Sequence, residues 1–230
     1  MRILLHAEVV APAVPKTIFD CDQELENIKG ILIGFEPDQD AATLGKELGY
    51  YLPPDSDYNI PNQKNRQLYY DQDPEKSAHS HYRVLDHAQL SWIHENVTKY
   101  ATDFRHSFTT PGRRLIGAHR DRTRDWVMLY LLDSGGDDHA TVWYQETGHP
   151  EVVRDAGYFV NDYSKLTELS RRKLKTNTWT LLNAQVIHAV EGAPGMRRSL
   201  MLSLPKSPAD LVLKDAVYYN TTTQKIEVDQ

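Results

Sequence analysis

The sequence predicts a mainly β fold with flanking helices, and three observations support this. From Gly112 onward, short apolar runs alternate with Gly, Pro and Asp, as expected for strands joined by tight turns. Residues 1–10 form another strand-like run. Only residues 86–104 have the length and apolar spacing of a long helix, which we expect to pack on the outer face of the main sheet. The strand pattern is typical of a double-stranded β-helix, or jelly roll.

Three segments before this region have distinct patterns. Residues 28–34 are strand-like, and residues 40–50 indicate a short helix. Residues 52–82 lack clear periodicity and are rich in Pro, Asp, Asn and Gln, although they include four tyrosines. Such a long segment is either disordered or a lid over a site, and its aromatic content favours the lid.

Two further features are expected inside the β region. Residues 134–137, Ser-Gly-Gly-Asp, indicate a turn that would join residues 126–133 and 140–146 in a hairpin. Residues 163–178 are interpreted as an insertion that could cover the opening of the fold.

Length and composition indicate one globular domain. A chain of 230 residues, 40% hydrophobic and 25% charged, can bury a sizeable core. We expect a single domain over residues 1–230, with an N-terminal region at 1–111, a core at 112–204 and a C-terminal extension at 205–230. No apolar run is long enough to span a membrane. The single cysteine, Cys21, excludes an internal disulfide and favours a cytoplasmic location. The sequence leaves the oligomeric state open.

Charge argues against a nucleic-acid partner. The net charge is −6, whereas nucleic-acid-binding proteins present a basic footprint. Locally, however, five arginines crowd one predicted strand and the loop after it: Arg113, Arg114, Arg120, Arg122 and Arg124. Side chains at the mouth of a barrel can face an anionic substrate.

His119, Asp121 and His188 have the spacing of a metal site. A histidine and a carboxylate two residues apart on an extended strand point to the same face, so both can bind one ion. His119 and Asp121 follow a strand-like run, and His188 lies in a second run at residues 179–190. Two imidazoles and one carboxylate on one face of an octahedral ion leave positions open, as in non-haem Fe(II) oxygenases.

This part of the chain resembles the Fe(II)/2-oxoglutarate-dependent dioxygenases. Their pattern is His-x-Asp, a distal His and an Arg about ten residues beyond it, which here reads His119-Arg120-Asp121, His188 and Arg198. Residues 188–200 are especially similar to the end of the catalytic core in prolyl and aspartyl/asparaginyl hydroxylases. The resemblance covers residues 112–204. It departs from the aspartyl/asparaginyl subgroup, some of whose members lack the carboxylate ligand.

The resemblance implies an enzyme. Fe(II) would be held by His119, Asp121 and His188, with 2-oxoglutarate and O₂ as co-substrates. Succinate and CO₂ would be released as an unactivated C–H bond is hydroxylated. The ligand Asp121 argues against halogenation, which in related enzymes needs that position vacated. A small molecule such as an amino acid is the first expected substrate, followed by a peptidyl side chain and a nucleobase.

The resemblance makes Arg198 the expected anchor for 2-oxoglutarate, with Arg197 as the less certain candidate. Period-two alternation puts Arg198, Leu200, Leu202 and Leu204 on one face of a strand and Arg197 on the other. If the leucine face is the core face, Arg198 points inward, where a carboxylate partner is needed. Arg197 would then lie at the surface. An Arg197 and Ser199 pair is the alternative, because family members differ by one residue in this spacing.

Substrate contacts are expected close to the metal strand. Arg120 and Arg122 flank Asp121, and Tyr130 lies in the run that follows. We include all three as candidate substrate-binding residues, with an anionic small molecule in mind.

The main alternative is a cupin-like protein, either a metal-binding isomerase or a non-enzymatic binding module. Such proteins usually present a His-x-His pair followed by Glu and a later His, whereas this pair is His-x-Asp. Glu146 and His149, which could substitute, lie beyond the predicted hairpin. A zinc site at His79 and His81 is a weaker alternative, because no hydrolase-like acidic pattern accompanies it.

Overall fold

The computed structural model describes residues 1–32, 80–84, 87–109, 115–121, 124–147, 158–160, 162–205 and 209–229. The helices are α1 (Cys21–Leu32), α2 (His87–Asn96) and a 3₁₀-helix (Tyr163–Lys165). The strands are β1 (Arg2–Val9), β2 (Ser80–Val84), β3 (Asp103–Thr109), β4 (Leu115–Arg120), β5 (Trp126–Asp133), β6 (Ala140–Glu146), β7 (Tyr158–Phe159), β8 (Leu166–Arg172), β9 (Trp179–Asn183), β10 (Ile187–Glu191), β11 (Arg198–Leu204), β12 (Leu213–Asn220) and β13 (Lys225–Asp229).

The strands form two antiparallel sheets. The major sheet has the order β13-β12-β1-β9-β5-β11-β3-β2, and the minor sheet has the order β7-β4-β10-β6-β8. Strands β3 to β6 pair in reverse order with β8 to β11, so that β6 pairs with β8, β5 with β9, β4 with β10 and β3 with β11. This nested pairing across two sheets is the double-stranded β-helix that the sequence predicts.

The chain has apolar cores on both faces of the major sheet. Between the sheets, Leu129, Leu182 and Met201 of the major sheet cluster with Trp143 of the minor sheet. On the other face of the major sheet, a second core packs against α2 and the N-terminal segment; it includes Ile93, Phe104, Met128, Tyr130, Trp179, Leu200, Leu202 and Leu204. The face between the sheets is called the inner face below, and the opposite one the helix face.

Strands outside the nested set widen the major sheet. β1 lies between β9 and β12, which confirms the predicted N-terminal strand. β12 and β13 come from the predicted C-terminal extension and add its outer edge. Among the described residues, neither α-helix is long and apolar enough to cross a bilayer.

The predicted hairpin is wrong. β5 belongs to the major sheet and β6 to the minor sheet, so the glycine turn connects two sheets. β5 pairs with β9 on one side and with β11 on the other, which leaves it no free edge for β6.

Two other predicted elements are also wrong, one in its type and one in its length. The predicted strand at 28–34 overlaps α1, whose first turn is capped by Asp20: its Oδ1 accepts the N–H groups of Asp22 and Gln23 at 3.1 Å each. The predicted helix at 86–104 ends at Asn96, and Phe104 lies in β3 opposite Leu202. The apolar residues that favoured a longer helix are therefore shared between a helix and a strand.

The predicted insertion at 163–178 contains strand β8, which belongs to the minor sheet. β8 pairs with β6 along its length and forms an edge of the minor sheet. The predicted helix at 40–50, and the predicted lid except for its last residues in β2, lie outside the described residues.

Candidate metal centre

Two neighbouring strands of the minor sheet supply the three predicted metal ligands. His119 is near the end of β4 and Asp121 follows that strand, while His188 lies in β10. His119 and His188 are direct partners in the antiparallel ladder. Since paired residues in a ladder point to the same face, the fold itself brings the two imidazoles together.

The three side chains form one compact cluster. One ligand atom from each lies within 4.8 Å of the other two, and this is the only such group among the described residues. His119 Nε2 lies 3.7 Å from Asp121 Oδ1, and the two imidazole centroids are 4.4 Å apart. Adjacent ligands of one octahedral ion are about 3 Å apart, given metal–ligand bonds of about 2.1 Å. Small side-chain rotations would therefore bring all three onto a common ion.

Backbone carbonyls orient both imidazoles. His119 Nδ1 lies 2.7 Å from the carbonyl oxygen of Gly117, and His188 Nδ1 lies 2.9 Å from that of Val186. A carbonyl can only accept, so in each ring Nδ1 carries the proton and donates it. The lone pair is then on Nε2, which is the form that binds a metal.

Electrostatics favour the metal-binding protonation states. Burial would raise the pKa of Asp121, but Arg124 and the two imidazoles outweigh it and lower the pKa to about 2. Desolvation and the neighbouring His119 lower the pKa of His188 to about 4. At neutral pH, Asp121 is thus an anion and His188 is neutral, and both are free to donate electron pairs.

The donor set fits a transition metal. Two imidazole nitrogens and one carboxylate oxygen suit iron and its neighbours in the first transition row, and they leave other coordination positions for small ligands. These three residues do not supply the four cysteine or histidine ligands of a tetrahedral structural zinc site.

The prediction that Arg197 lies at the surface is wrong. Arg197 is 6% exposed, and its backbone extends the β11–β3 ladder: its carbonyl accepts the Thr109 N–H at 2.9 Å, and its N–H donates to Thr109 Oγ1 at 3.0 Å. Alternation in β11 puts Ser199 on the inner face of Met201, and continuing it to Arg197, which precedes the strand, puts Arg197 on the same face.

Arg198 is buried on the opposite side. It pairs with Phe108, and alternation puts it on the face of Leu200, beneath the N-terminal segment. Its Nη1 donates to the carbonyl oxygen of Cys21 at 3.0 Å. Every residue of β11 is buried, so the leucine face is a core face without being the inner face.

The two candidate substrate-binding residues that the structure describes lie in different parts of the fold. Arg120 ends β4 between the two ligands His119 and Asp121. Tyr130 lies on the helix face, where its ring is 5.0 Å from that of Trp179. Arg122 lies outside the described residues, and a role in substrate binding stays a prediction for all three.

The residues of the rival metal sites do not cluster among the described residues. Glu146 ends β6, and His81 lies on β2 in the other sheet. His79 and His149 are outside the described residues.

Two neighbours of the cluster had no assigned role in the sequence. Arg124 was noted only as one of five clustered arginines, yet its Nε donates to Asp121 Oδ2 at 2.5 Å. Trp143, which is fully buried, is the direct ladder partner of His188. The contact of Arg124 with Asp121 could have been predicted from their three-residue spacing. The position of Trp143 beside His188 could not, because it depends on the pairing of strands 45 residues apart.

Comparisons with known proteins found distant structural likenesses only. No family model and no curated protein matches the chain. The nogalamycin-biosynthesis carbocyclase SnoK, non-haem and α-ketoglutarate-dependent, is 10% identical, with 68% of this chain and 75% of SnoK covered and a TM-score of 0.39. A Pseudomonas putida prolyl-4-hydroxylase is 14% identical, with coverages of 69% and 90% and a TM-score of 0.34. A 2OG-Fe(II) oxygenase family protein from Burkholderia pseudomallei is 12% identical, with coverages of 76% and 96% and a TM-score of 0.37.

Proposed function

We propose that the protein is an Fe(II)- and 2-oxoglutarate-dependent oxygenase. The observation that carries this proposal is the cluster of His119, Asp121 and His188, whose ligand atoms lie within 4.8 Å of one another at adjacent strands of a double-stranded β-helix. In the proposed reaction, O₂ contributes one oxygen atom to the substrate, which becomes hydroxylated at a C–H bond. The other oxygen atom enters succinate as 2-oxoglutarate loses CO₂, so two two-electron oxidations balance the reduction of O₂.

The protein's own residues would hold and orient the reactants. His119 and His188 offer Nε2 lone pairs because their Nδ1 protons are engaged by backbone carbonyls. Asp121 offers Oδ1, since Oδ2 accepts the Arg124 N–H. Bound Fe(II) would supply the activation of O₂, a redox reaction that no amino-acid side chain performs.

We assign the co-substrate anchor to Arg197, with Ser199 beside it. Both are buried, at 6% and 1% exposed, and the ladder register puts them on the inner face, towards the sheet that bears the metal ligands. A guanidinium binds a carboxylate through two parallel hydrogen bonds, which suits the distal carboxylate of a 2-oxo diacid. Arg198 lies on the helix face, away from the sheet that bears the metal ligands, which supports the choice.

The proposed substrate is a small molecule such as an amino acid. The cluster is largely enclosed, with the side chains of His119 and Asp121 18% and 12% exposed. Exclusion of water from such a site protects reactive chemistry, and a small substrate is compatible with this enclosure.

Anaerobic optical titration tests the proposal. Fe(II) followed by 2-oxoglutarate should produce the weak visible charge-transfer absorption of a chelated 2-oxo acid, and Asp121→Ala and His188→Ala should both abolish it. His139→Gln is the matched control, because His139 is also buried but lies in the loop between β5 and β6.

Turnover is then measured in air as succinate release in the presence of a library of small metabolites. Undiminished absorption in both ligand variants would contradict the metal assignment. Metal binding with no absorption change on adding 2-oxoglutarate, and no succinate, would instead favour a cupin-like isomerase or binding module.

A further inference from the structure

We propose that the turn between β9 and β10, through Gln185, acts with Arg124 as a positioning device that sets the coordination of Asp121 before a metal binds. The turn runs from Asn183, the last residue of β9, to Val186, which precedes β10. The proposal rests on the proposed function, since it concerns the same metal centre. It assigns roles to two residues that do not themselves ligate the ion.

The turn binds both ends of the segment that follows His119. The carbonyl of Ala184 accepts the Asp121 N–H at 2.9 Å, and the Ala184 N–H donates to the Asp125 carbonyl at 3.0 Å. The side-chain amide of Gln185 donates from Nε2 to the carbonyls of Asp121 and Arg124, both at 2.9 Å. One amide group therefore ties together the ligand and the arginine that contacts it.

The same turn also orients the third ligand. The carbonyl of Val186 accepts the Nδ1 proton of His188 at 2.9 Å. The turn is held in its own shape by Asn183, whose Oδ1 accepts the Gln185 N–H at 3.0 Å and whose Nδ2 donates to the Leu4 carbonyl at 2.9 Å. Asp121 and His188, which are 67 positions apart in sequence, are thus positioned by one four-residue turn.

Arg124 limits how Asp121 can ligate. Arg124 Nε donates to Oδ2 at 2.5 Å, and both side chains are mostly buried, at 13% and 12% exposed. Oδ1 is the oxygen next to His119. With Oδ2 engaged, Asp121 offers one oxygen to the ion, and the position that a second oxygen would occupy stays available to other ligands. Partners of metal ligands commonly change metal affinity by about 10- to 100-fold when they are removed.

Cobalt(II) binding under anaerobic conditions tests the proposal without requiring turnover. Affinity is measured by competition with a chromogenic chelator, and coordination is measured from the ligand-field absorption spectrum. Gln185→Glu removes the amide donor at nearly constant shape, and Arg124→Gln frees Asp121 Oδ2. Asp121→Asn defines loss of the site. Arg171→Gln is the matched control for the loss of an arginine ion pair, because Arg171 lies on the edge strand β8 and forms 2.8 Å ion pairs with Glu168 and Glu191, neither of which is a proposed ligand.

We expect Gln185→Glu and Arg124→Gln each to bind Co(II) about 10- to 100-fold more weakly than the wild type. Arg124→Gln should also change the ligand-field spectrum, because the second carboxylate oxygen becomes free to coordinate. Arg171→Gln should keep the wild-type affinity and spectrum. Melting temperatures of all variants separate a local effect from unfolding. Gln185 is exposed, so its variant keeps the test available if Arg124→Gln fails to fold.

Two outcomes have different meanings. If Asp121→Asn abolishes binding while Gln185→Glu and Arg124→Gln keep the wild-type affinity and spectrum, the positioning role is overturned and the metal site stands. If the wild type itself binds no Co(II), or binds it as well as Asp121→Asn does, the proposed function fails first.

Discussion

His119 and His188 occupy one rung of the β4–β10 ladder, with their imidazole centroids 4.4 Å apart. Because side chains alternate between the faces of a strand, a register slip of one residue would turn His188 to the opposite face. The nested strand pairing that makes the double-stranded β-helix therefore also brings the two histidines of the candidate metal centre together. Asp121 joins from the loop, where backbone and side-chain contacts to the β9–β10 turn hold it.

Substitutions of the two buried arginines, Arg197 and Arg198, should differ in their effect on 2-oxoglutarate affinity. Arg197→Gln should weaken 2-oxoglutarate binding to the iron-loaded protein by about 100-fold or more, because an inner-face carboxylate would lose a buried charged partner. Arg198→Gln should affect this affinity much less and should mainly lower the free energy of unfolding, since its bond to the Cys21 carbonyl is lost. Anaerobic titration of the charge-transfer absorption and urea unfolding measure the two effects. A larger loss of affinity in Arg198→Gln would reverse the assignment.

Stability of the metal-free protein should fall in mild acid, partly because of His6. Burial, with a smaller effect of Arg172, lowers the pKa of His6 from 6.5 to about 4. The unfolded chain therefore binds a proton first, so the contribution of His6 is complete above pH 6.5 and is lost as the pH falls towards 4. The full effect is about 3 kcal/mol, from about 1.4 kcal/mol per pKa unit. His188 acts in the same direction, as its pKa is also lowered to about 4.

His6→Phe isolates the first of these contributions. The ring of His6 stacks on Trp143 with centroids 4.3 Å apart, and phenylalanine keeps an aromatic surface there. Urea unfolding between pH 8 and pH 4.5 should show a shallower decline for His6→Phe, with the His188 contribution remaining. Identical slopes for the variant and the wild type would show that His6 does not titrate in the folded protein as expected.

Trp143 should be a main contributor to the core between the sheets. It is fully buried, stacks on His6 and pairs with His188 in the minor sheet. Trp143→Ala should lower the free energy of unfolding by about 3 to 5 kcal/mol through the cavity it leaves. Trp92→Ala is the comparison. This variant should lower the free energy of unfolding less, because Trp92 on α2 is only partly buried. Equal losses in denaturant unfolding would contradict the importance of the inner core.

Gly192 should tolerate no side chain, unlike Gly117. Gly192 follows β10 with φ at 70°, and an added Cβ would lie 2.2 Å from the Asp138 carbonyl oxygen. Gly192→Ala should therefore lower the free energy of unfolding by about 2 kcal/mol or more. Nothing lies within 4 Å of a Cβ at Gly117 in β4. Gly117→Ala should therefore change the free energy of unfolding by no more than about 0.5 kcal/mol. Thermal and urea unfolding of the two variants provide the check.

The sequence by itself determined the features that depend on local spacing. Short apolar runs separated by turn residues predicted a β fold, and His119, Asp121 and His188 were predicted as one cluster before any strand was paired. The two-residue period of a strand was the basis for pairing His119 with Asp121, although Asp121 lies just after the end of β4. In the structure, the ligand atoms of these three side chains lie within 4.8 Å of one another.

Tertiary structure decided which strands pair with each other and which face of the major sheet packs against the minor sheet. β5 and β6 looked like a hairpin because they are adjacent in sequence, but β5 uses both edges within the major sheet. Both faces of β11 are buried, so the hydrophobic pattern of this strand could not show which face lies between the sheets. It therefore could not assign Arg197 to the inner face and Arg198 to the helix face. The roles of Arg124 and Gln185 likewise arise from contacts between a loop and a distant turn. Alternation specifies that two faces exist, whereas only the packing of sheets and helices assigns each face its neighbours.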